Sequence, residues 1–161
     1  MELKCYSSNI SEMNPLIIVS NNYYRFGIVM TCKFNKISQN SNKMSKVICL
    51  WASPRNISTA LMYSFAQRSD VKVLDEPFYA HYLKNINPDI DHPGKKEILD
   101  NQSTDLKIVV KEIDILKQQY GCVFIKNMTH HLRGADFSFA NEWYNIILTR
   151  DPQKAIISFS K

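Results

Sequence analysis

The stretch Trp51-Ala52-Ser53-Pro54-Arg55-Asn56-Ile57-Ser58-Thr59 is the part of the chain best suited to hold an anion. It follows the apolar run Val47 to Trp51 and precedes Ala60, Leu61, Met62, Phe65 and Ala66, an apolar stripe at helical spacing. The stretch therefore reads as a loop feeding a helix N-terminus, with Ser58 as the N-cap. Such a junction offers unpaired backbone N–H groups and the positive end of a helix dipole, which favour phosphate or sulfate. Arg55 supplies a planar fork of donors, and the hydroxyls of Ser53, Ser58 and Thr59 add more. The Gly and Lys of a Walker A loop are missing, so nucleoside triphosphate with Mg²⁺ is not the indicated ligand. The bland alternative is a turn whose Ser and Thr only cap the helix.

Three further stretches follow apolar runs. Asp75-Glu76-Pro77 comes after Val71 to Leu74, and a carboxylate there could take a proton from an attacking hydroxyl. Helix-start acids satisfying the dipole are the competing explanation. Lys126-Asn127-Met128-Thr129-His130-His131 comes after Cys122 to Ile125, and Lys126 or His130 could meet charge developing on a transferred group. Adjacent histidines do not share a face of a regular element and no third ligand is near, so a metal is not expected; His131 reads as packing or as solvent-exposed. Finally, Arg150-Asp151-Pro152 closes the run through Ile146, Ile147 and Leu148, and Ser158 falls eight residues after Arg150. An Arg at a strand end and a Ser on the next helix could bracket one phosphate.

Positioning these groups requires a regular scaffold. The spacing predicts strands at 47–51, 71–74, 122–126 and 143–149. It predicts helices from Ser58, from Pro77 to about Leu83, from Asp105 to Gln119 with Gly121 as the stop, and after Pro152. Residues 85–103, with Pro, Gly and mixed charge, read as a mobile loop. Strands alternating with helices give a three-layer α/β/α domain with a parallel central sheet, whose binding crevice lies outside the strand C-termini. The helix after Pro152 is short, so the fold reads as incomplete at its C-terminal end.

The chain has 161 residues, of which 45% are hydrophobic and 22% charged, enough to bury the core of one domain. Its net charge of +5 is uneven, because residues 1–45 hold five of the basic residues but only Glu2 and Glu12 among the acidic ones. The remainder is close to neutral, which argues against a nucleic-acid partner. Seven of the fourteen Asn residues lie within 1–43, so the composition changes near Met44. Residues 1–43 read as an extension, disordered or before the true start, or as a small hairpin with strands at 16–20 and 26–34; residues 44–161 are the domain. Cys5, Cys32, Cys49 and Cys122 are scattered, which suits a reducing cytoplasm, and no run is long enough to span a membrane.

Over residues 46–161 these stretches resemble the sulfotransferases that use 3′-phosphoadenosine 5′-phosphosulfate (PAPS). They are closest to a small branch whose loop reads W-x-x-P-R-x-x-S-T and whose second strand ends in D-E-P, here Trp51, Pro54, Arg55, Ser58, Thr59 and Asp75, Glu76, Pro77. The resemblance implies a P-loop nucleotide-binding fold with Ser53, Pro54, Arg55, Asn56, Ile57, Ser58 and Thr59 on the 5′-phosphosulfate. It implies Arg150 and Ser158 on the 3′-phosphate. Glu76 would be the base, with Lys126 or His130 as secondary candidates. The reaction implied is in-line sulfuryl transfer to a hydroxyl or amine of a small-molecule acceptor, without a metal. The chain departs from many cytosolic members in having Arg55 where they carry Lys, and in ending soon after the second motif. An atypical P-loop kinase and an inactive fragment are the other readings.

Overall fold

The computed structural model describes residues 45–160 together with the strand backbones of 16–21 and 26–31. Residues 1–15, 22–25, 32–44 and 161, which hold most of the expected extension, lie outside the described residues. Two strands, β1 (Leu16–Asn21) and β2 (Phe26–Thr31), pair antiparallel. Then follow β3 (Lys46–Ala52), α1 (Ser58–Ala66), β4 (Lys72–Asp75), α2 (Tyr79–His81), α3 (Lys95–Asn101) and α4 (Leu106–Tyr120). The chain continues through β5 (Cys122–Met128), β6 (Tyr144–Arg150) and α5 (Pro152–Phe159).

The sheet order is β1-β2-β6-β3-β5-β4. The four strands β6, β3, β5 and β4 run parallel, and β2 joins the β6 edge antiparallel. The result is the α/β architecture expected from alternating strands and helices.

Alternation along the central strands explains the layers. On β5, Val123 and Ile125 pack with Val109 and Ile113 of α4, whereas Cys122 and Phe124 pack with Met62 of α1. On β3, Val47 and Cys49 go with the α4 side and Leu50 with the α1 side. A strand apolar on both faces must be covered on both, and α1 and α4 supply the covers. The Phe65 and Phe124 rings stack at 4.0 Å between α1 and β5. The α4 helix is well delimited: Asp105 accepts a hydrogen bond from Lys107 N at 2.8 Å, and Gly121 closes it at φ 77°.

The structure corrects three expectations. Ile57, not Ser58, is the N-cap of α1, and no side chain caps that helix. The helix expected from Pro77 starts at Tyr79 and widens into a π-helical turn over Tyr82–Ile86. The segment 85–103 is not simply a loop, because residues 95–101 form α3. Its start is stitched by Lys95 N to His92 O at 2.9 Å, and Gln102 just beyond it accepts from Ala80 N at 3.3 Å. The second contact ties the segment to α2, an ordering that Pro and Gly content conceals. Among the described residues, no helix is long and apolar enough to cross a membrane.

Candidate functional site

Parallel pairing brings the C-terminal ends of four strands to one edge of the sheet. Ala52 stands beside Met128 and Leu148, and Asp75 beside Lys126. The loop after β3, the Asp75-Glu76-Pro77 turn, the segment after β5 and Arg150 therefore open on the same side, where ligands bind in such sheets.

The loop after β3 is held by Asn56. Its side chain is buried, and Nδ2 donates to Leu148 O at 3.0 Å on β6 and to Ser53 Oγ at 3.5 Å. This latch leaves Ser53, Arg55, Ile57 and Thr59 exposed, Pro54 half-buried and Ser58 buried. Arg55 and Ile57 both adopt φ 66°, a left-handed conformation that is costly for a residue with a Cβ and especially for a branched one. Strain of this kind persists where the surroundings over-determine the backbone, often at ligand sites. With no side-chain cap on α1, the first-turn N–H groups and the dipole are directed at the loop's mouth.

Arg55, Arg150 and Ser158 come together. The Arg55 Nε donates to Ser158 O at 3.0 Å and to Ser158 Oγ at 3.1 Å, and its Nη2 also donates to Ser158 O. The Arg150 Nη1 donates in turn to the Arg55 carbonyl. Asp151 caps α5 by accepting from Gln153 N at 3.0 Å, and Pro152 opens the helix, which fixes where Ser158 falls. The Arg55 side chain is thus turned toward α5, the side expected to carry the 3′-phosphate.

A second cluster surrounds Glu76. Its backbone lies at φ 50°, an uncommon value immediately before a proline, and its N–H donates to Lys126 O at 2.8 Å. The Lys126 ammonium, only 6% exposed, lies 2.5 Å from Glu76 Oε1 and 2.7 Å from Asp75 Oδ1. Burial alone would lower the Lys126 pKa. The hydrogen bonds and charges of Asp75 and Glu76 outweigh it and hold the pKa above the ordinary lysine value. The cation stays charged and keeps both carboxylates paired.

Of the two histidines, His130 is exposed and meets Tyr82 edge-on at 5.0 Å. His131, expected to be packing or exposed, is 1% exposed and approaches the other oxygen of Glu76 at 3.8 Å. Its ring stacks on Tyr79 at 4.7 Å. Burial, then His130 and Lys126, push its pKa down to about 3, so it is neutral at physiological pH. Asp75 and His131 are the members of this cluster that sequence reasoning did not assign. Asp75 was visible in the D-E-P motif, but which of two adjacent acids meets Lys126 depends on strand register.

A sequence profile described as the sulfotransferase domain matches residues 45–161. Branched-chain-amino-acid aminotransferase-like protein 2 of Arabidopsis thaliana is 40% identical over 117 residues, which is 72% of this chain and 21% of that protein. Branched-chain-amino-acid aminotransferase-like protein 1 of the same plant is 35% identical over 117 residues, with the same coverage. The chain spans about a fifth of the length of these curated relatives. No solved structure matches it. With the profile covering every strand of the parallel sheet and both basic elements beside it, the chain belongs to the sulfotransferase domain family.

Proposed function

We propose that the chain transfers a sulfuryl group from PAPS to a hydroxyl or amine of a small-molecule acceptor in the cytoplasm, with residues 44–161 as the working domain. The observation that carries this reading is the meeting of Arg55, Arg150 and Ser158 beside an uncapped helix N-terminus. Two guanidinium groups, two helix starts and several hydroxyls form a donor set suited to a nucleotide with phosphates at both its 3′ and 5′ positions.

When bound, the nucleotide supplies the sulfuryl group and a bisphosphate that leaves. Ser53, Ser58, Thr59 and the N–H groups of the strained loop hold its 5′ side, and Arg55, hydrogen-bonded to Ser158, reaches from that side toward the 3′-phosphate. Pro54, Asn56 and Ile57 fix the loop's path. Arg150 and Ser158 hold its 3′-phosphate. Donors preset in the loop favour charge developing on the leaving oxygen without reorganising. Glu76 takes the acceptor's proton, Lys126 pairs with its Oε1 and orients the carboxylate, and His130, on the exposed side of the cluster, contacts the acceptor.

The test is incubation of the chain with radiosulfur-labelled PAPS in the presence of a metal chelator and a mixed pool of hydroxyl and amine acceptors. Label should enter a new organic product and should fail to do so with Arg55→Ala. Phosphoryl transfer from ATP with Mg²⁺, without sulfuryl transfer, would overturn the reading.

A further inference from the structure

The α4 face carries a cavity of about 710 Å³ that lies outside the proposed nucleotide and base elements. Its walls come from the π-helical turn after α2, the first turns of α4, and residues 133–139. Ile86, Leu106, Val110 and Phe139 supply apolar surface. The third wall turns at Gly134, whose φ of 78° suits a residue without a Cβ.

The charged groups on this cavity are unbalanced. Lys107 and Arg133 line it and are exposed, and among the described residues neither makes an ion pair. The acid on the lining, Asp136, is already occupied by its own turn, accepting from Ser138 N at 2.9 Å and from Ser138 Oγ at 3.2 Å. His81 Nδ1 is 3.0 Å from Thr104 O and so is also engaged within the protein. The cavity therefore presents an apolar floor and two uncommitted cations. Its volume falls within the range of small-molecule sites, which are mostly apolar with a few polar groups that fix orientation.

We infer that this cavity binds a small molecule with an apolar body and a single carboxylate, the body against Leu106, Val110 and Phe139 and the carboxylate between Lys107 and Arg133. A monoanion matches the lining, because two cations and one acid leave one net positive charge. A guanidinium presents a planar fork that fits a carboxylate's two oxygens. The site stands independently of sulfuryl transfer, since it uses none of the residues proposed to hold the nucleotide or the proton.

The test is a titration of the isotope-labelled chain, followed by backbone amide NMR, with naphthoate and with the neutral isostere naphthamide. Naphthoate should shift amides in 82–86, 106–110 and 133–139, and should bind about tenfold more tightly than naphthamide. The doubly substituted Lys107→Glu, Arg133→Glu chain should lose that advantage while keeping a folded spectrum. If that chain does not fold, Lys107→Gln with Arg133→Gln provides the same comparison without charge reversal. Absence of shifts in those segments, equal affinity for both probes, or a carboxylate preference that survives substitution would overturn the proposal.

Discussion

Arg150, the last residue of β6, donates a hydrogen bond to the carbonyl oxygen of Arg55, 95 positions earlier in the loop after β3. A charged donor on a loop carbonyl does more than bring two motifs close: it fixes the height of the loop relative to the strand end. Arg55 returns the link through Ser158, so β6, α5 and the loop form one closed circuit of hydrogen bonds.

Breaking that circuit should be felt in ligand binding. Arg150→Ala removes the proposed contact to the 3′-phosphate together with the hydrogen bond to the Arg55 carbonyl. Affinity for 3′-phosphoadenosine 5′-phosphate should fall by about 1.5–3 kcal/mol, roughly 10- to 150-fold. Calorimetry on the folded variant checks this. Unchanged affinity would remove Arg150 from the site.

The parallel sheet and its helices were legible in the sequence because buried strands carry near-continuous apolar runs and α4 carries a clean stripe. Asp105 and Gly121 mark that helix's ends with ordinary cap chemistry. What could not be read was contact across strands. Whether Asp75 or Glu76 meets Lys126 depends on the register of β4 against β5, and the structure shows that both do. The two adjacent histidines look equivalent in sequence, yet a 3-10 turn over 129–132 buries His131 and exposes His130. The cap of α1 is not legible in the sequence, because a left-handed isoleucine is not what propensity suggests.

Lys126→Met tests the buried ammonium. It leaves the carboxylates of Asp75 and Glu76 facing each other without their cation. Unfolding free energy at neutral pH should drop by about 3 kcal/mol, measurable by urea denaturation. Because the folded pKa of Lys126 lies above the unfolded one, its contribution is complete below the ordinary lysine range and lost as pH rises through the folded value. The destabilisation caused by Lys126→Met should therefore shrink at strongly alkaline pH. A variant as stable as the parent at neutral pH would show that the pair does not support the fold.

His131 has the opposite signature. Between its ordinary pKa near 6.5 and the folded value of about 3, the unfolded chain binds a proton that the folded chain refuses. Its contribution is complete above that window and is lost as pH falls through it, at up to about 1.4 kcal/mol per pH unit. His131→Phe keeps a ring against Tyr79 and removes the titration. Lys126, His130, Glu76 and Tyr79 remain in both chains, so the difference between the two stability profiles isolates His131. Parallel profiles from pH 7 to pH 4 would contradict its buried, neutral state.

Ile57→Gly should stabilise the chain. The side chain is 56% exposed, so little packing is lost, and glycine relieves a β-branched residue held at φ 66°. A gain of about 1 kcal/mol in thermal or urea unfolding is expected. A loss of stability would mean that the exposed side chain or its restricted backbone contributes more than the strain costs.

The most direct measurement of the central claim is a calorimetric titration of the chain with 3′-phosphoadenosine 5′-phosphate in the presence of a metal chelator, set beside AMP and, separately, ATP with Mg²⁺. Saturable binding of the bisphosphate without metal, at least about tenfold tighter than AMP or ATP, is the predicted result. A cooperatively folded chain that ignores the bisphosphate, or that prefers ATP with Mg²⁺, would contradict it.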